Sequence, residues 1–384
     1  MSVEVAVIGG GLSGLCAVWQ LHRHGVPATL LEARSRLGGR ALSIEAEGGS
    51  FDMGPSWIWE GQPCVKALLE HFGIQTFPQY CDGALLHQSS SGKIIRNAIL
   101  KPMQGSLRIS GGIGRLVESL ANEIPDESIR LDCRVTGLNW TPKGVTLAGI
   151  VCDGDFSLDA GRVALATPLR IAAAMKFTPP IEPKSLQVLN DTPTWMAGHA
   201  KFLAIYERPF WREQDLSGDV VSAKGPLAEL HEATPESGSP HALLGFIGLN
   251  GESRQEISVG ELEGLCLEHL TQLFGEAASS PVSTHIVDWS RDGFTATRED
   301  LTSYNHHPVY GVDLRLCSAW QDRIQFIVSE TAFENGGLVE GAISNGLSYA
   351  NRLLKQLDRK IDAIGTDEPC DPHAASMSWD WTVD

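Results

Sequence analysis

The chain has 384 residues, 42% of them hydrophobic and 20% charged, a length beyond what one hydrophobic core usually supports and a composition that excludes disorder. Its formal charge of −17 at pH 7 repels the phosphate backbone of nucleic acid and anionic lipid heads, which argues against both as partners. The eight cysteines are scattered, without a Cys-x-x-Cys pair or a metal-type spacing with histidine, and no apolar run reaches the roughly 20 residues of a membrane span, so the expectation is a soluble protein of the reducing cytoplasm with no metal site.

Val3 to Ile8 is a β-branched, mostly apolar run suited to a buried parallel strand, and it stops at Gly9-Gly10-Gly11-Leu12-Ser13-Gly14. Leu12, Leu15, Cys16 and Trp19 then recur at the helical period, and the pattern ends near Gly25-Val26-Pro27. Ala28 to Leu31 restarts as a strand and finishes on Glu32. This is a β-α-β unit whose turn suits a dinucleotide. Gly9 allows the tight turn, Gly11 lets a pyrophosphate approach the backbone, and Gly14 permits close packing of helix on strand; Ser13 belongs to the same turn. The helix N-terminus faces the phosphates with free N–H groups, and Glu32 would accept hydrogen bonds from a ribose diol. An empty structural turn is the plain alternative. The strand before, the helix after and the acid beyond argue against it.

Next stands Ala33-Arg34-Ser35-Arg36-Leu37-Gly38-Gly39-Arg40, a second glycine pair whose flanking arginines can supply charge-assisted bonds to phosphate. Glu-Ala-Arg-x-Arg-x-Gly-Gly-Arg resembles the second FAD-contacting motif of the flavin-containing amine oxidase family, the group of monoamine, polyamine and L-amino-acid oxidases. Phe51-Asp52-Met53-Gly54-Pro55-Ser56-Trp57-Ile58-Trp59 is similar to that family's segment beside the flavin ring. The resemblance therefore assigns Glu32, Arg34, Gly38, Gly39, Arg40, Gly54, Pro55, Ser56 and Trp57 to the cofactor.

It continues in the family's order. Gly111-Gly112-Ile113-Gly114 opens a helical stretch to Ala121, and Arg130 to Val135 reads as one strand, with Val135 at the position that meets the adenosine half of FAD through its backbone. Arg162 to Pro168 is a buried strand ended by proline. In His199-Ala200-Lys201-Phe202-Leu203-Ala204-Ile205-Tyr206, running into Pro209-Phe210-Trp211, one lysine stands in an apolar strand. It must snorkel to solvent or serve a site, because burying it unpaired is costly. The family holds a lysine here to flavin N5 through a water, so the resemblance makes Lys201 the catalytic residue that orders this water and helps dioxygen meet the reduced flavin. Near the end, Ser329-Glu330-Thr331 and Gly336-Gly337-Leu338-Val339-Glu340-Gly341 match the family's closing motif. It implies that Glu330 contacts the ribityl-pyrophosphate portion of FAD and that a helix starting near Val339, with Leu338 before it, points its N-terminus at the flavin pyrimidine.

The fold implied is α/β: a Rossmann-type FAD-binding domain assembled from residues 1–78, 106–192 and 292–360, and a smaller α+β substrate domain on a mixed sheet from 79–105 and 193–291, with an acidic tail at 361–384. Leu338 stands where monoamine oxidases carry a cage tyrosine, and no cysteine for covalent flavin attachment follows Trp289, so FAD is expected to be noncovalent. Trp57, Trp59, Phe210, Trp211, Trp289 and Leu338 are the expected pocket walls. His306 and His307 read as a polar loop near the flavin edge. The segment between position 78 and Gly111 is short, which suggests a shallow pocket or one completed by a partner subunit in a homodimer. The activity implied is that of an oxidase: a small amine loses hydride from its α-carbon to flavin N5, the imine hydrolyses, and dioxygen is reduced to hydrogen peroxide. A desaturase or dehydrogenase with another electron acceptor, or a noncatalytic flavoprotein subunit, remain the alternatives.

Overall fold

Two large sheets organise the residues that the computed structural model describes, 2–152, 154–302, 306–311, 314, 320 and 323–361. The first grows from the N-terminal strand Ser2–Ile8, which lies parallel to Ala28–Leu31 on one side and to Gly154–Leu165 on the other. Neighbours on both edges and layers on both faces explain why Val5 to Ile8 is wholly apolar and buried. In spatial order this sheet runs Lys176–Thr178, Cys133–Thr141, Gly144–Val151, Gly154–Leu165, Ser2–Ile8, Ala28–Leu31 and Ile129–Arg130, with Ile324–Phe326 also paired to Gly154–Leu165. The first helix, Leu12–Arg23, covers one face beside the last helix, Val339–Gln356; Leu15, Cys16 and Trp19 share one core with Ile343, Leu347 and Leu354.

The single strand expected over Arg130–Val135 is in fact two. Ile129–Arg130 pairs with Ala28–Leu31 at one edge, and Cys133–Thr141 lies with Gly144–Val151 across the sheet. Asp132, at φ +54°, makes the break, a left-handed conformation that the short polar side chain of Asp tolerates. Its N–H donates to the Arg34 carbonyl at 3.0 Å and the Cys133 N–H to that of Glu32 at 2.8 Å, which sets Val135 beside the second glycine loop.

The second sheet runs Ser283–Asp288, Ala200–Tyr206, His241–Ile247, Leu227–Glu232, Leu216–Ser222, Ala84–Gln88 and Ile94–Asn97. Helix Val259–Phe274 covers one face, where Phe202, Ala204 and Tyr206 meet Leu262, Leu270 and Phe274. The other face, carrying Leu203 and Ile205, packs on Phe51 and Met53, at the end of the hairpin Ser43–Ala46 and Gly49–Asp52. Ala200–Tyr206 is therefore buried on both faces, all seven residues. Phe210 and Trp211 belong to the helix-covered face: they pack edge-on with Tyr206 and each other, 2% and 0% exposed. The expectation that these two wall a substrate pocket is corrected; the Pro-Phe-Trp corner anchors the core. Among the described residues no helix is long and apolar enough to cross a membrane.

Candidate active site

Between the two large sheets runs a cleft of about 1700 Å³, larger than the ~300–1,000 Å³ of an ordinary small-molecule pocket. One end is the turn after the first strand. Gly9 takes φ +111° and its N–H donates to the Leu31 carbonyl at 2.8 Å. Across it, Gly11 forms an isolated bridge with Gly38, and a Cβ on Gly39 would stand 3.2 Å from the Gly11 Cα. Two backbone loops thus approach as only glycines allow, leaving N–H groups along the cleft floor.

Glu32 is 3% exposed; its Oε2 accepts from the Gly10 N–H at 2.6 Å and its Oε1 from the Arg34 N–H at 2.9 Å. Arg34 reaches the opposite wall, where Asp292 takes it bidentately at 3.1 and 2.8 Å and Thr295 at 2.8 Å. Val135 lines the same end. Ser13 also lines it, but its hydroxyl donates to the Ile327 carbonyl and ties the first helix to the last strand. Arg40 lines the middle of the cleft, its Nη1 and Nη2 on the two carboxylate oxygens of Glu330 at 2.7 and 3.0 Å. Glu330 itself is fully buried and absent from the cleft wall. The expected direct contact of Glu330 with FAD is therefore not offered by the cleft wall; its carboxylate is turned to Arg40, the countercharge a buried carboxylate needs. Three buried polar atoms of cleft-lining residues, Thr167 Oγ1, His199 Nδ1 and His307 Nε2, have no hydrogen-bond partner among the described residues. Glycine floor, dinucleotide-length volume and these three atoms fit FAD.

At the other end Gly54, Pro55, Ser56, Trp57, Trp59 and Trp289 line the cleft, with Leu338 and Val339 where the last helix begins. Trp57 Nε1 donates to Gln79 Oε1 at 2.9 Å and Trp289 Nε1 to the Met53 carbonyl at 3.0 Å, so both rings are held by their polar ends. Lys201 is only 4% exposed. Its Nζ donates to the Gly54 carbonyl at 2.5 Å and to Ser56 Oγ at 2.8 Å, and stands 4.9 Å from the Phe246 ring centroid and 5.5 Å from that of Trp57. Burial, reinforced by Arg108 and opposed by Asp52, brings its pKa down to about 7.

The sheet register adds what the pattern of residues alone does not. Lys201 pairs with Phe246, and Phe246 with Glu229, so the three stand in one row across neighbouring strands on one face, and all line the cleft. With strands about 4.8 Å apart, the ammonium and the carboxylate originate roughly 10 Å from each other. Behind Glu229, His231 is clamped between carboxylates, Nε2 at 2.5 Å from Glu229 Oε1 and Nδ1 at 2.9 Å from Asp219 Oδ1, all nearly sealed from solvent. Burial disfavours the imidazolium, but Glu229 and Asp219 outweigh it and raise the His231 pKa to about 9. The folded protein therefore holds a proton that the unfolded chain releases near 6.5, and the stability this contributes, on the order of 3 kcal/mol, is fully present below pH 6.5 and lost as pH rises through about 9. Thermal melting of wild type across that window is expected to fall more steeply than that of His231→Gln; parallel curves would mean that the clamp carries no such linkage.

Sequence reasoning missed Glu229, His231, Phe246 and Trp195. The only local signal was the alternation of acids and histidine in Leu-Ala-Glu-Leu-His-Glu, residues 227–232, unusual for a buried strand. Trp195 meets the His307 ring at 4.6 Å, and His307 meets Tyr310 at 5.3 Å, which makes the stretch around 306–310 an aromatic wall of the cleft as well as a polar loop. His199 also lines the cleft, and burial, then Arg254 and Lys201, lower its pKa to about 4, so it is a neutral imidazole.

Comparison with known proteins agrees with this geometry. The family model described as flavin containing amine oxidoreductase matches residues 75–354, and one described as an NAD(P)-binding Rossmann-like domain matches 7–72. Putrescine oxidase of Kocuria rosea is 22% identical over 91% of this chain and 95% of its own length. A solved structure of wild-type putrescine oxidase bound to putrescine superposes with a TM-score of 0.76 at 20% identity, covering 92% of this chain and 99% of that one. Cyclohexylamine oxidase from Brevibacterium oxydans does so with a TM-score of 0.76 at 19% identity, over 93% and 100%.

Proposed function

The chain belongs to the flavin-containing amine oxidoreductase family, and from that premise we propose that it oxidises a small amine carrying a second positive group, with dioxygen as the electron acceptor. It is an FAD-dependent oxidoreductase with a Rossmann-type cofactor domain. FAD, when bound, supplies the acceptor for hydride from the amine's α-carbon and passes the electrons on to dioxygen, which leaves as hydrogen peroxide. The observation that carries the substrate reading is the row Lys201, Phe246, Glu229 along the cleft wall.

In this reading the protein binds, orients and excludes water. Trp57 and Phe246 form an apolar, π-rich seat over which a carbon chain lies, keeping water from the reacting C–H bond. Glu229 accepts the distal ammonium. Its partner His231 fixes the carboxylate's direction, and Asp219 on the far nitrogen keeps the three-group unit at a net charge of −1. Lys201, with a pKa near neutrality, can hold or release a proton at Nζ under ordinary conditions, as a group that serves proton transfer needs to. The imine formed from the amine hydrolyses in water. Relatives bearing the name putrescine oxidase support a doubly charged substrate, and the acidic wall supports it independently.

A panel of monoamines and short diamines, assayed for hydrogen peroxide, tests the reading. The best substrates are expected to be diamines whose second ammonium reaches Glu229, and Glu229→Gln should raise KM for them roughly 10- to 100-fold, since a hydrogen bond to a charged partner is worth about 1.5–3 kcal/mol, with monoamines little changed. An equal loss for both substrate classes would remove Glu229 from substrate recognition.

A further inference from the structure

Ser56, which accepts from Lys201 Nζ at 2.8 Å, also lines a second and much smaller cavity of about 10 Å³. Asp52, Arg108 and Glu232 supply its charged walls, Glu232 being already paired with Arg212, and Phe51, Leu203 and Leu244 its apolar ones. A space of that size, with several polar groups around it, holds one water molecule.

The surrounding charges suit such a molecule. Asp52, Arg108 and Lys201 are 5%, 7% and 4% exposed, and among the described residues no ion pair joins any two of them. Asp52 Oδ1 accepts from Ser43 Oγ at 2.6 Å and from the Ile113 N–H at 2.8 Å. Arg108 donates to the carbonyls of Thr234 at 2.7 Å and Ala233 at 3.0 Å. Lys201 donates to the Gly54 carbonyl, to Ser56 Oγ and, at 3.5 Å, to the backbone carbonyl of Asp52. The three charged ends are thus held by backbone and hydroxyl groups around one small polar space, without an ion pair among them, and a water there would bridge them.

We propose that this cavity holds one ordered water bonded to Asp52, Arg108 and Ser56, and that through it Asp52 is the proton partner of Lys201. In the transfer the Ser56 hydroxyl, which rests as donor on the Asp52 backbone carbonyl at 3.1 Å, turns to the water and passes its proton there as it takes one from Nζ, whose N–H bond breaks; the water passes a proton to the Asp52 carboxylate. Ammonium and carboxylate become amine and carboxylic acid, with no change in the charge of the cluster and no electron moved. Arg108 cannot take part as a donor of protons, because guanidinium does not titrate in this range, so it acts only by its field. The groups facing Lys201 from the elements packed on it are Asp52, Arg108, Glu229 with its His231 and Asp219, and the neutral His199; Glu232 faces Arg108. Burial raises the pKa of Asp52 while it lowers that of Lys201, which brings the two closer together than in water.

The inference goes beyond the substrate reading and is tested separately from it. High-resolution diffraction of the FAD-loaded protein is expected to show the water on Asp52, Arg108 and Ser56. In NMR of isotope-labelled lysine, Asp52→Asn should lower the Lys201 titration midpoint by about one pH unit and Arg108→Met should raise it by a similar amount, opposite shifts that a merely structural role would not produce. Ala233→Val fills the cavity without altering a charge; it should remove the water and slow the reaction of reduced enzyme with dioxygen about tenfold, with reduction by amine unchanged. No density in the cavity, shifts of the same sign, or a wild-type oxygen reaction in Ala233→Val would each overturn the proposal. A protein that no amine reduces, yet shows the water and the opposed shifts, would reject the amine reading and keep this one.

Discussion

Lys201→Met is expected to slow dioxygen consumption by roughly 100-fold or more, the contribution of a positioned proton-transfer group, while the protein keeps its FAD and its fold. Methionine has nearly the length of lysine and fills irregular apolar space well, so the strand Ala200–Tyr206 and the seat beside Phe246 lose little packing. Removing the charge also removes its desolvation, so stability should hold or rise. What disappears is the Nζ that donates to Gly54 and Ser56 and the proton it holds near neutral pH. Stopped-flow measurement separates the steps: reduction by amine should stay near wild type, and reoxidation by air should fall. A mutant that reoxidises at the wild-type rate would make Lys201 a buried structural residue.

Gly14→Ala is expected to strip FAD from the protein. A Cβ on Gly14 would stand 2.0 Å from the Gly9 carbonyl oxygen and 3.3 Å from the Ala166 Cβ, so the first helix cannot keep its place against the strand. Backbone atoms make up the nearest clash, and only a shift of the whole turn relieves it. Overpacking of this kind costs about 1–3 kcal/mol and sometimes more. The relief moves the N–H groups that the glycine floor turns toward the phosphates, so the loss should fall on cofactor affinity, by roughly 100-fold or more. Dialysis with visible absorbance reads it directly. Retention of the wild-type flavin content would show that the turn tolerates the displacement.

The first sixty residues were legible because their information is local. Strand, glycine turn, helix and acid follow one another within one β-α-β unit, and each residue's task depends on its immediate neighbours. Val339 as the start of the closing helix was legible for the same reason. Glu330 was recognised as part of a motif but not in its role, since its partner Arg40 lies 290 residues away. The corner Phe210-Trp211 misled in the other direction: aromatic rings suit a pocket wall and a core equally, and which face of the sheet they take depends on the helix Val259–Phe274 packed against them. Glu229 was invisible because its place in the cleft follows from register across three strands, Lys201 to Phe246 to Glu229, and a slip of one residue would turn it to the opposite face. Asp132 hid a break inside what reads as one strand, where the chain passes from one edge of the sheet to its far side, a step that its side chain permits and no composition announces. The acidic tail expected at 361–384 lies, beyond residue 361, outside the described residues.

In the proposed complex FAD lies along the cleft and faces the row that runs from Lys201 through Phe246 to Glu229. Anaerobic titration of the purified yellow protein with a short diamine tests this most directly. The account predicts bleaching of the flavin spectrum at one diamine per FAD and, on admitting air, return of the colour with one hydrogen peroxide released. Bleaching by a nicotinamide donor but by no amine, or a protein that cannot take up FAD at all, would contradict it.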